Sequence, residues 1–366
     1  MSPVAIVGVG LMGGSLGLAL RGAADAREVV GADPDPEALR VAVAVGAISR
    51  AAGSLEEAVE GACAVVLSAP VPALAGLARR ALAASPDDCV VTDLGSTKSG
   101  LIAALGPGER TRFIGGHPVC GAERSGVAFA RRGLFSGATW FLTPAAEARP
   151  ELFERLHALV ASVGARPVAI DAGVHDRLMA LVSHLPHVLA SALINQAADT
   201  APEGRQALRS AGPSFTDLTR VAGSNPPLWA DILLANRDAV LEAMDAYATR
   251  LDEVAAALRR GDREWLLGFV DDAGRARGRL LAAADQGPSA PARVVVAIPN
   301  RPGVISEIAT ALGHAHINIE DLTLRPGPPD GEGELELVVD GPTAAADAVR
   351  LVAGRGYGAR ALPAGP

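Results

Sequence analysis

Lysine, aromatic residues and positive charge are all scarce in this sequence. Lys98 is the single lysine among 33 basic residues, aromatic residues make up 3% of the chain, and the formal net charge is −8. The arginines are scattered along the chain rather than clustered. A protein that mainly binds nucleic acid needs a basic patch for the phosphates, so we expect no nucleic-acid partner.

Cysteine and long apolar runs are scarce as well. Cys63, Cys89 and Cys120 lie in or beside apolar segments without the spacing of metal ligands, which predicts buried, reduced thiols and no metal site. No run of about 18 uncharged apolar residues occurs, so we expect no transmembrane span and no membrane partner. The sequence starts with the strand-like "VAIVGVG" instead of a signal peptide, which predicts a cytoplasmic protein.

The 366 residues are too many for one ordinary core, and their pattern changes twice along the chain. Residues 1–170 alternate short apolar runs with helical patterns, which predicts a Rossmann-type, doubly wound α/β domain. Residues 171–284 show helical periodicity and almost no strand signal, which predicts an all-helical domain for substrate binding and dimerisation. Beyond a Gly/Pro/Ser-rich linker, residues 292–366 read strand–helix–strand–strand–helix–strand, the order of a ferredoxin-like domain.

A glycine motif at the first strand predicts a dinucleotide site. It has the form G-x-G-x-x-G, follows a strand and opens a helix, so that backbone N–H groups can face a pyrophosphate. Asp33 ends the second strand and would accept hydrogen bonds from ribose hydroxyls while repelling a 2′-phosphate, which favours NAD over NADP. The residues predicted to bind the cofactor are Gly8, Gly10, Leu11, Met12, Gly13 and Asp33.

Three further segments place reactive side chains where chemistry is expected. Ser96 in "DLGSTKSG" and His117 in "GGHPVCGAERSG" follow strands, at the carboxyl edge where open α/β sheets bind ligands. The helical segment "SHLPH" carries Ser183, His184 and His187, of which the first and last share a helix face. A histidine on an apolar helix is often a satisfied core group, and for His184 the core and the site interpretations are both open.

These motifs, together with "FTDLTRVAGSNPPLW" and "NRPGVISEIATALGHAHINIED", resemble the prephenate dehydrogenase family, in the variant with a C-terminal ACT domain. The resemblance covers essentially the full length. It implies that His117 accepts a hydrogen bond from the substrate's ring hydroxyl, that Ser96 orients His117, and that Arg220 binds a carboxylate with support from Asp217. It also implies five pocket residues, which are Ser183, His184, His187, Glu123 and Trp229.

The activity that this resemblance implies is the NAD-dependent oxidative decarboxylation of prephenate to 4-hydroxyphenylpyruvate, a step of tyrosine biosynthesis. An arogenate dehydrogenase is the nearest alternative, because the same residues serve both substrates, and a carboxylate such as Glu123 facing the side chain would favour arogenate. A hydroxy-acid dehydrogenase is disfavoured because the helical domain contains no lysine. A non-catalytic, NAD-binding amino-acid sensor is a further alternative, which a turnover assay would exclude.

Control and assembly are the last expectations. The ACT resemblance implies that L-tyrosine, or less readily L-phenylalanine, binds near Asn300, Gly303 and Asn318, although the module could also serve only in dimerisation. Two long amphipathic stretches in the helical domain predict a homodimer. Lys98 belongs to the motif "GSTK" and is expected beside the cofactor pocket, with an electrostatic or a structural role left open.

Overall fold

The chain folds into two compact units, one made of residues 1–176 with 290–366 and the other of residues 177–289. The dinucleotide-binding and ferredoxin-like domains expected from the sequence thus pack into a single unit. The computed structural model describes residues 3–23, 27–121, 124–199, 208–285, 292–299, 301, 303–315, 317, 319–325 and 332–362.

A five-stranded parallel sheet forms the centre of the dinucleotide-binding domain, in the order β3-β2-β1-β4-β5. Its strands are β1 (Val4–Val7), β2 (Val29–Ala32), β3 (Arg50–Ala51), β4 (Ala64–Leu67) and β5 (Val90–Asp93). Alternate residues of β1 enter different cores, since Val4 and Ile6 belong to one apolar cluster and Ala5 and Val7 to the other. Both faces of the sheet are therefore covered, as the continuous apolar runs predict.

Seven helices accompany the strands of this domain. They are α1 (Leu11–Arg21), α2 (Pro36–Ala44), α3 (Leu55–Val59), α4 (Val71–Ala84), α5 (Ser99–Ala103), α6 (Pro107–Arg110) and α7 (Pro150–Ser162). Helix α3 is capped at its start by Ser54, whose hydroxyl accepts the Glu57 N–H at 3.1 Å. The Rossmann-type prediction is confirmed in this part of the chain.

A second, three-stranded sheet continues the domain and differs from an all-parallel arrangement. Its order is β6 (Ile114–Pro118), β7 (Thr139–Pro144) and β8 (Arg166–Ala169), with β6 and β7 antiparallel and β7 and β8 parallel. Among the residues described between β6 and β7, which exclude 122 and 123, the chain forms two short 3₁₀ turns and no crossover helix that would return it in the parallel direction. Helix α7 supplies that crossover between β7 and β8.

The second unit is helical, as predicted. One helix runs over Ala172–Asp199 and forms a π-helical turn at Ala180–His184, where the Leu185 N–H bonds to the Ala180 carbonyl oxygen. Pro186, which has no N–H to donate, follows directly, and the helix accommodates it by this π-turn. We name this helix α8. Within the part of this unit that the structure describes, further helices are α9 (Pro213–Thr219), α10 (Pro226–Ala235), α11 (Arg237–Arg260) and α12 (Arg263–Asp285).

Helix α8 is the single described helix that is long and apolar enough to cross a membrane. This criterion uses length and composition alone, and core helices of soluble proteins also meet it. Four of its ionisable residues, His175, Asp176, His184 and His187, are buried.

The C-terminal module has the predicted ferredoxin-like order. Its antiparallel sheet runs β10 (Ile319–Arg325), β11 (Glu332–Val339), β9 (Ala292–Pro299) and β12 (Ala359–Ala361), with helices α13 (Val304–His314) and α14 (Gly341–Ala353). Helix α7 packs against β10, and α13 packs against β8. The Leu324 N–H donates to the Glu154 carboxylate at 3.3 Å, and apolar residues of both domains belong to one continuous core.

The cysteines are less uniform than predicted. Cys89 is buried, whereas Cys63 and Cys120 are half-buried, because the latter two lie at the ends of their apolar segments. Burial raises the pKa of the Cys89 thiol to about 12 and that of Cys120 to about 11. Both thiols are therefore poor nucleophiles at neutral pH.

Candidate active site

The glycine motif forms a cradle at the N-terminus of α1. Gly8 has a φ of +94°, and a Cβ there would overlap the Ser68 carbonyl oxygen, so no other residue fits this turn. A Cβ at Gly13 would overlap the Gly8 carbonyl oxygen. Gly10, by contrast, has open space within 4 Å of its Cβ position. Leu11 and Met12 begin α1 and are half-buried against the core.

Asp33 has a structural contact that the sequence did not reveal. One of its carboxylate oxygens accepts the Val9 N–H at 2.8 Å, and the other accepts the Asp35 N–H at 2.9 Å. Asp33, at the end of β2, therefore stabilises the conformation of the glycine loop. A carboxylate oxygen has more than one lone pair, so these bonds are compatible with ribose hydroxyls as additional donors. The cradle and this acid fit a dinucleotide.

His117 lies at the end of a chain of buried polar groups. Its Nδ1 is 2.9 Å from Nε2 of His175, and Nδ1 of His175 is 2.8 Å from a carboxylate oxygen of Asp176. The same carboxylate accepts the N–H groups of Lys98 and Ser99, each at 2.8 Å. Asp176 is thus fixed by the start of α5, and it fixes His175 in turn.

The charges along this chain follow from its burial. Burial by itself raises the pKa of Asp176, but the bonds from His175 and from the N–H groups of Ser99 and Lys98 outweigh it and hold that pKa below its usual value. Burial lowers the pKa of His175, although Asp176 opposes the shift. Near pH 7 the pair is therefore a carboxylate and a neutral imidazole.

Ser96 lies half-buried in the loop between β5 and α5, three residues after the end of β5. Its neighbour Gly95 donates its N–H to Asp93 at 2.8 Å. The loop that carries Ser96 is thus anchored to β5, as expected for a residue at the carboxyl edge of the sheet.

In the helical unit, His187 and Trp229 form a stacked pair. Their ring centroids are 3.6 Å apart and the planes differ by 4°. The Nδ1 atom of His187 is buried and has no hydrogen-bond partner within the described part of the chain. Burial lowers the pKa of His187, so its imidazole is neutral near pH 7. This nitrogen can take up a hydrogen bond from a ligand.

His184 has a different environment. Its Nδ1 is 3.0 Å from the side-chain nitrogen of Asn236, and its ring meets Trp229 edge-on at 6.1 Å. A buried imidazole that accepts an amide N–H is compatible with both interpretations that the sequence leaves open for His184. Ser183, one residue earlier, is half-buried.

Arg220 and Asp217 lie close together in the chain and are both exposed. Asp217 is in α9, and Arg220 opens the 3₁₀ turn Arg220–Gly223, which packs against the Leu185–Asp199 part of α8. An exposed guanidinium held on a packed turn can form a bidentate pair with a carboxylate.

Three predicted residues, Glu123, Asn300 and Asn318, lie outside the described residues. Gly303 is described and caps α13 with a φ of +87°. A Cβ at Gly303 would lie 2.6 Å from the Ala146 carbonyl oxygen, so the backbone group that approaches this glycine belongs to the dinucleotide-binding domain.

The chain matches three family models over most of its length. Residues 16–169 match "Prephenate dehydrogenase, nucleotide-binding domain", residues 171–271 "Prephenate dehydrogenase, dimerization domain", and residues 292–350 "ACT domain". A prephenate dehydrogenase of Bacillus subtilis is 31% identical over 324 residues, 88% of this chain and 87% of that protein. The chain belongs to the prephenate dehydrogenase family.

Solved structures of prephenate and arogenate dehydrogenases share this fold. A prephenate dehydrogenase from Aquifex aeolicus, solved with hydroxyphenyl propionate and NAD⁺, matches with a TM-score of 0.72 and 31% identity, covering 76% of this chain and 98% of that one. An arogenate dehydrogenase from Synechocystis matches with a TM-score of 0.67 and 25% identity, covering 76% of this chain and 99% of that one. The resemblance seen in the sequence is confirmed.

Sequence reasoning missed His175 and Asp176, which the structure joins to the predicted site residue His117. The signal was present, since an adjacent imidazole and carboxylate occupy the start of an apolar helix directly after β8. Such a pair needs partners when it is buried, and His117 and the start of α5 supply them. Spacing in the sequence does not reveal that β6 and α5 converge on this helix.

Proposed function

We propose that this chain catalyses the oxidative decarboxylation of prephenate to 4-hydroxyphenylpyruvate and CO₂ in tyrosine biosynthesis. Gly8, Gly10, Gly13 and Asp33 would hold NAD, which would supply the acceptor for the hydride that leaves C4 of the substrate ring. The observation that carries the proposal is the His117–His175–Asp176 chain within a member of this family.

The hydrogen-bond chain assigns the roles of the two nitrogens of His117. Asp176 is a carboxylate, so His175 donates to it from Nδ1 and presents the lone pair of Nε2. His117 then donates from Nδ1 to His175, which leaves the lone pair of a neutral imidazole on Nε2. We propose that Nε2 accepts the proton of the ring hydroxyl as hydride leaves, a contribution of about 10²–10⁴ to the rate.

The remaining steps, loss of CO₂ and return of the proton to the ring oxygen, need no further reagent. The bond between the ring and its carboxylate breaks, CO₂ leaves, and the electron pair of that bond completes the aromatic ring. The ring oxygen then recovers the proton that His117 holds. Aromatisation makes the reaction favourable, so the protein mainly has to position and orient the substrate.

The substrate contacts that we propose follow the family motif. Arg220 binds one carboxylate of the prephenate dianion, with Asp217 as its support, and His187 and Ser183 contribute to the grip on the other. Trp229 holds the ring of His187, and Ser96 orients His117. His184 and Glu123 complete the set as pocket residues.

The test is a comparison of kcat/KM for prephenate and arogenate, each with NAD and NADP. We expect prephenate with NAD to have the highest value, and a preference for arogenate would establish the alternative substrate. Absence of turnover with all four combinations would favour the alternative in which the protein is a non-catalytic, NAD-binding sensor. Asp33→Asn removes the charge but keeps an acceptor for the Val9 N–H, so it should relax the preference for NAD without unfolding the loop.

We further propose that L-tyrosine controls the enzyme through the ACT domain. An amino acid bound near Asn300, Gly303 and Asn318 would act on a module that shares its core with the dinucleotide-binding domain. Typical coupling changes apparent substrate affinity by about 5–150-fold. If Asn300→Ala lowers the sensitivity to tyrosine while kcat stays constant, the ACT domain is the sensor. Unchanged, purely competitive inhibition would mean that tyrosine binds in the active site.

Assembly as a homodimer in the cytoplasm is also part of the proposal. Large, exposed apolar side chains of the described residues lie in the helical unit, with the exceptions of Val43, Val45, Val119 and Phe129. Leu234 is 72% exposed and Val270 66% exposed, which is costly for a helical surface facing water. A second copy of the same unit would cover these faces symmetrically.

A further inference from the structure

The single lysine of the chain is buried between the elements that carry Ser96 and His117. Lys98 follows Ser96 by two residues and has no solvent exposure. Burial lowers the pKa of its ammonium, and the charge of Asp93 is the main opposing influence. A lysine is rarely fully buried without a specific partner.

The side chain of Lys98 binds the peptide groups next to His117. Its Nζ pairs with the Asp93 carboxylate and donates to the Gly116 carbonyl oxygen at 2.8 Å. Asp93 accepts the Gly116 N–H at 3.1 Å and the Gly95 N–H at 2.8 Å. Both peptide groups of Gly116 are thus held by one ion pair, and the same pair holds the loop before Ser96.

The two glycines before His117 fit this arrangement. A Cβ at Gly115 would overlap the Thr143 hydroxyl and lie 3.0 Å from the Lys98 side chain. A Cβ at Gly116 would lie 2.5 Å from the Asp93 carbonyl oxygen. Gly115 therefore leaves room for the Lys98 side chain against β6, and Gly116 leaves room for the backbone at the end of β5.

The backbone of Lys98 reaches His117 by a second route. Its N–H donates to Asp176, and the Asp176 carboxylate holds His175 against His117. One residue therefore contacts the support of His117 from two sides, through Gly116 and through Asp176.

We propose that Lys98 is a positioning residue: its ammonium fixes the backbone beside His117, its backbone N–H holds the Asp176 carboxylate, and together they set the place and the tautomer of that imidazole. The assignment rests on the proposed role of His117 as proton acceptor. It also explains why lysine remains in a chain whose other cations are arginines. A compact ammonium can point at one carboxylate and one carbonyl oxygen, whereas a planar guanidinium needs more room than Gly115 leaves.

The first test compares Lys98→Met with Leu159→Ala, a substitution of a buried apolar residue in α7 that makes none of the hydrogen bonds of this network. Both should lower the melting temperature. At temperatures where both variants are folded, the kcat of Lys98→Met should be about 10–100-fold lower than that of the wild type, because a small displacement of a catalytic group is costly. Its KM for NAD should stay within about 2-fold of the wild-type value. Leu159→Ala should keep its kcat. Equal kcat in both variants would reduce Lys98 to a contributor to stability and overturn the proposal.

The double variant Asp93→Asn/Lys98→Met distinguishes two roles of Lys98, which are neutralising the Asp93 carboxylate and positioning the backbone beside His117. It removes the unpaired carboxylate, so it should regain the thermal stability that Lys98→Met loses. We expect kcat to stay low, because the donor to Gly116 is still missing. A return of kcat together with stability would mean that Lys98 serves only to neutralise Asp93.

A spectroscopic test needs neither variants nor turnover, so it stays informative if the substrate is not prephenate. Lysine labelled with ¹³C at Cε gives one resonance in this chain, and ¹⁵N-labelled histidine reports the tautomer of His117 in long-range ¹H–¹⁵N spectra. The charged groups facing Lys98 are Asp93 on β5 and Asp176 on α8, with His175 beyond. The His117 nitrogen shifts should change with the same midpoint as Lys98 when the pH is raised. Flat His117 shifts across that midpoint would contradict the proposal.

Discussion

At the residue scale, the direction of the hydrogen bonds in the row His117–His175–Asp176 decides whether Nε2 of His117 can accept a proton. Asp176 can only accept when it is ionised, so each imidazole in the row has to donate from Nδ1 and expose a lone pair on Nε2. A protein environment that keeps His175 neutral is necessary for this order, and burial provides it.

Asp176→Asn tests this order. The amide can present its nitrogen to His175 and so reverse the tautomers of both imidazoles, which places a proton on the acceptor nitrogen of His117. We expect kcat to fall about 10²-fold or more, as for His117→Ala, with little change in the Kd of NAD. Asp262→Asn is the control, because Asp262 also accepts a backbone N–H, from Trp265, but lies far along the chain in the helical unit. Wild-type kcat in Asp176→Asn would remove the row from the mechanism.

At the element scale, the contact of α13 with the end of β8 joins the ACT domain to the dinucleotide-binding domain. A Cβ at Gly313 would overlap the Ala169 carbonyl oxygen. The chain continues from β8 into α8, where His175 and Asp176 follow within a few residues. An effector that displaces α13 would therefore act close to the support of His117.

Gly313→Ala should destabilise the protein by about 1–3 kcal/mol, because the added methyl group forces α13 away from β8. The matched control is Gly274→Ala in α12, where a Cβ would have no neighbour within 4 Å. There the same substitution should stabilise the helix by about 0.5–1 kcal/mol. Urea unfolding of both variants measures the difference, and equal effects would mean that the contact between α13 and β8 is not tight.

The elements differ in how far the sequence predicts them. The glycine cradle, the fold class and the ferredoxin-like order depend on local patterns of residues, so the sequence alone predicts them. The surface against which the ACT domain packs could not be predicted. The composition of a Gly/Pro/Ser-rich linker such as residues 284–292 does not indicate which surface the following domain contacts. The sequence also did not predict the hydrogen bonds of His175 and Asp176, since their partners lie 58 and 78 positions away in the chain.

At the scale of the whole molecule, apolar surface is distributed unevenly. The unit made of residues 1–176 and 290–366 buries one continuous core that includes both of its domains. The helical unit leaves Leu234, Leu258 and Val270 more than half exposed. A protein with this distribution is expected to associate through its helices.

Light scattering at micromolar concentration should give the mass of a homodimer, twice 37.1 kDa. Replacing Leu234 and Val270 together by glutamate places charges on the apolar faces and should shift the protein to a monomer. Val43→Glu is the control, because Val43 is 45% exposed on α2. A wild-type monomer at this concentration would contradict the homodimer.

The central claim is that prephenate loses hydride to NAD while His117 accepts the hydroxyl proton, and labelled substrate tests it directly. With prephenate carrying deuterium at C4 of the ring, the wild-type enzyme should form NADH labelled at C4 of the nicotinamide, together with equal amounts of CO₂ and 4-hydroxyphenylpyruvate. His117→Asn should form the same products at least about 10²-fold more slowly. Unlabelled NADH, or a His117→Asn variant as fast as the wild type, would contradict the account.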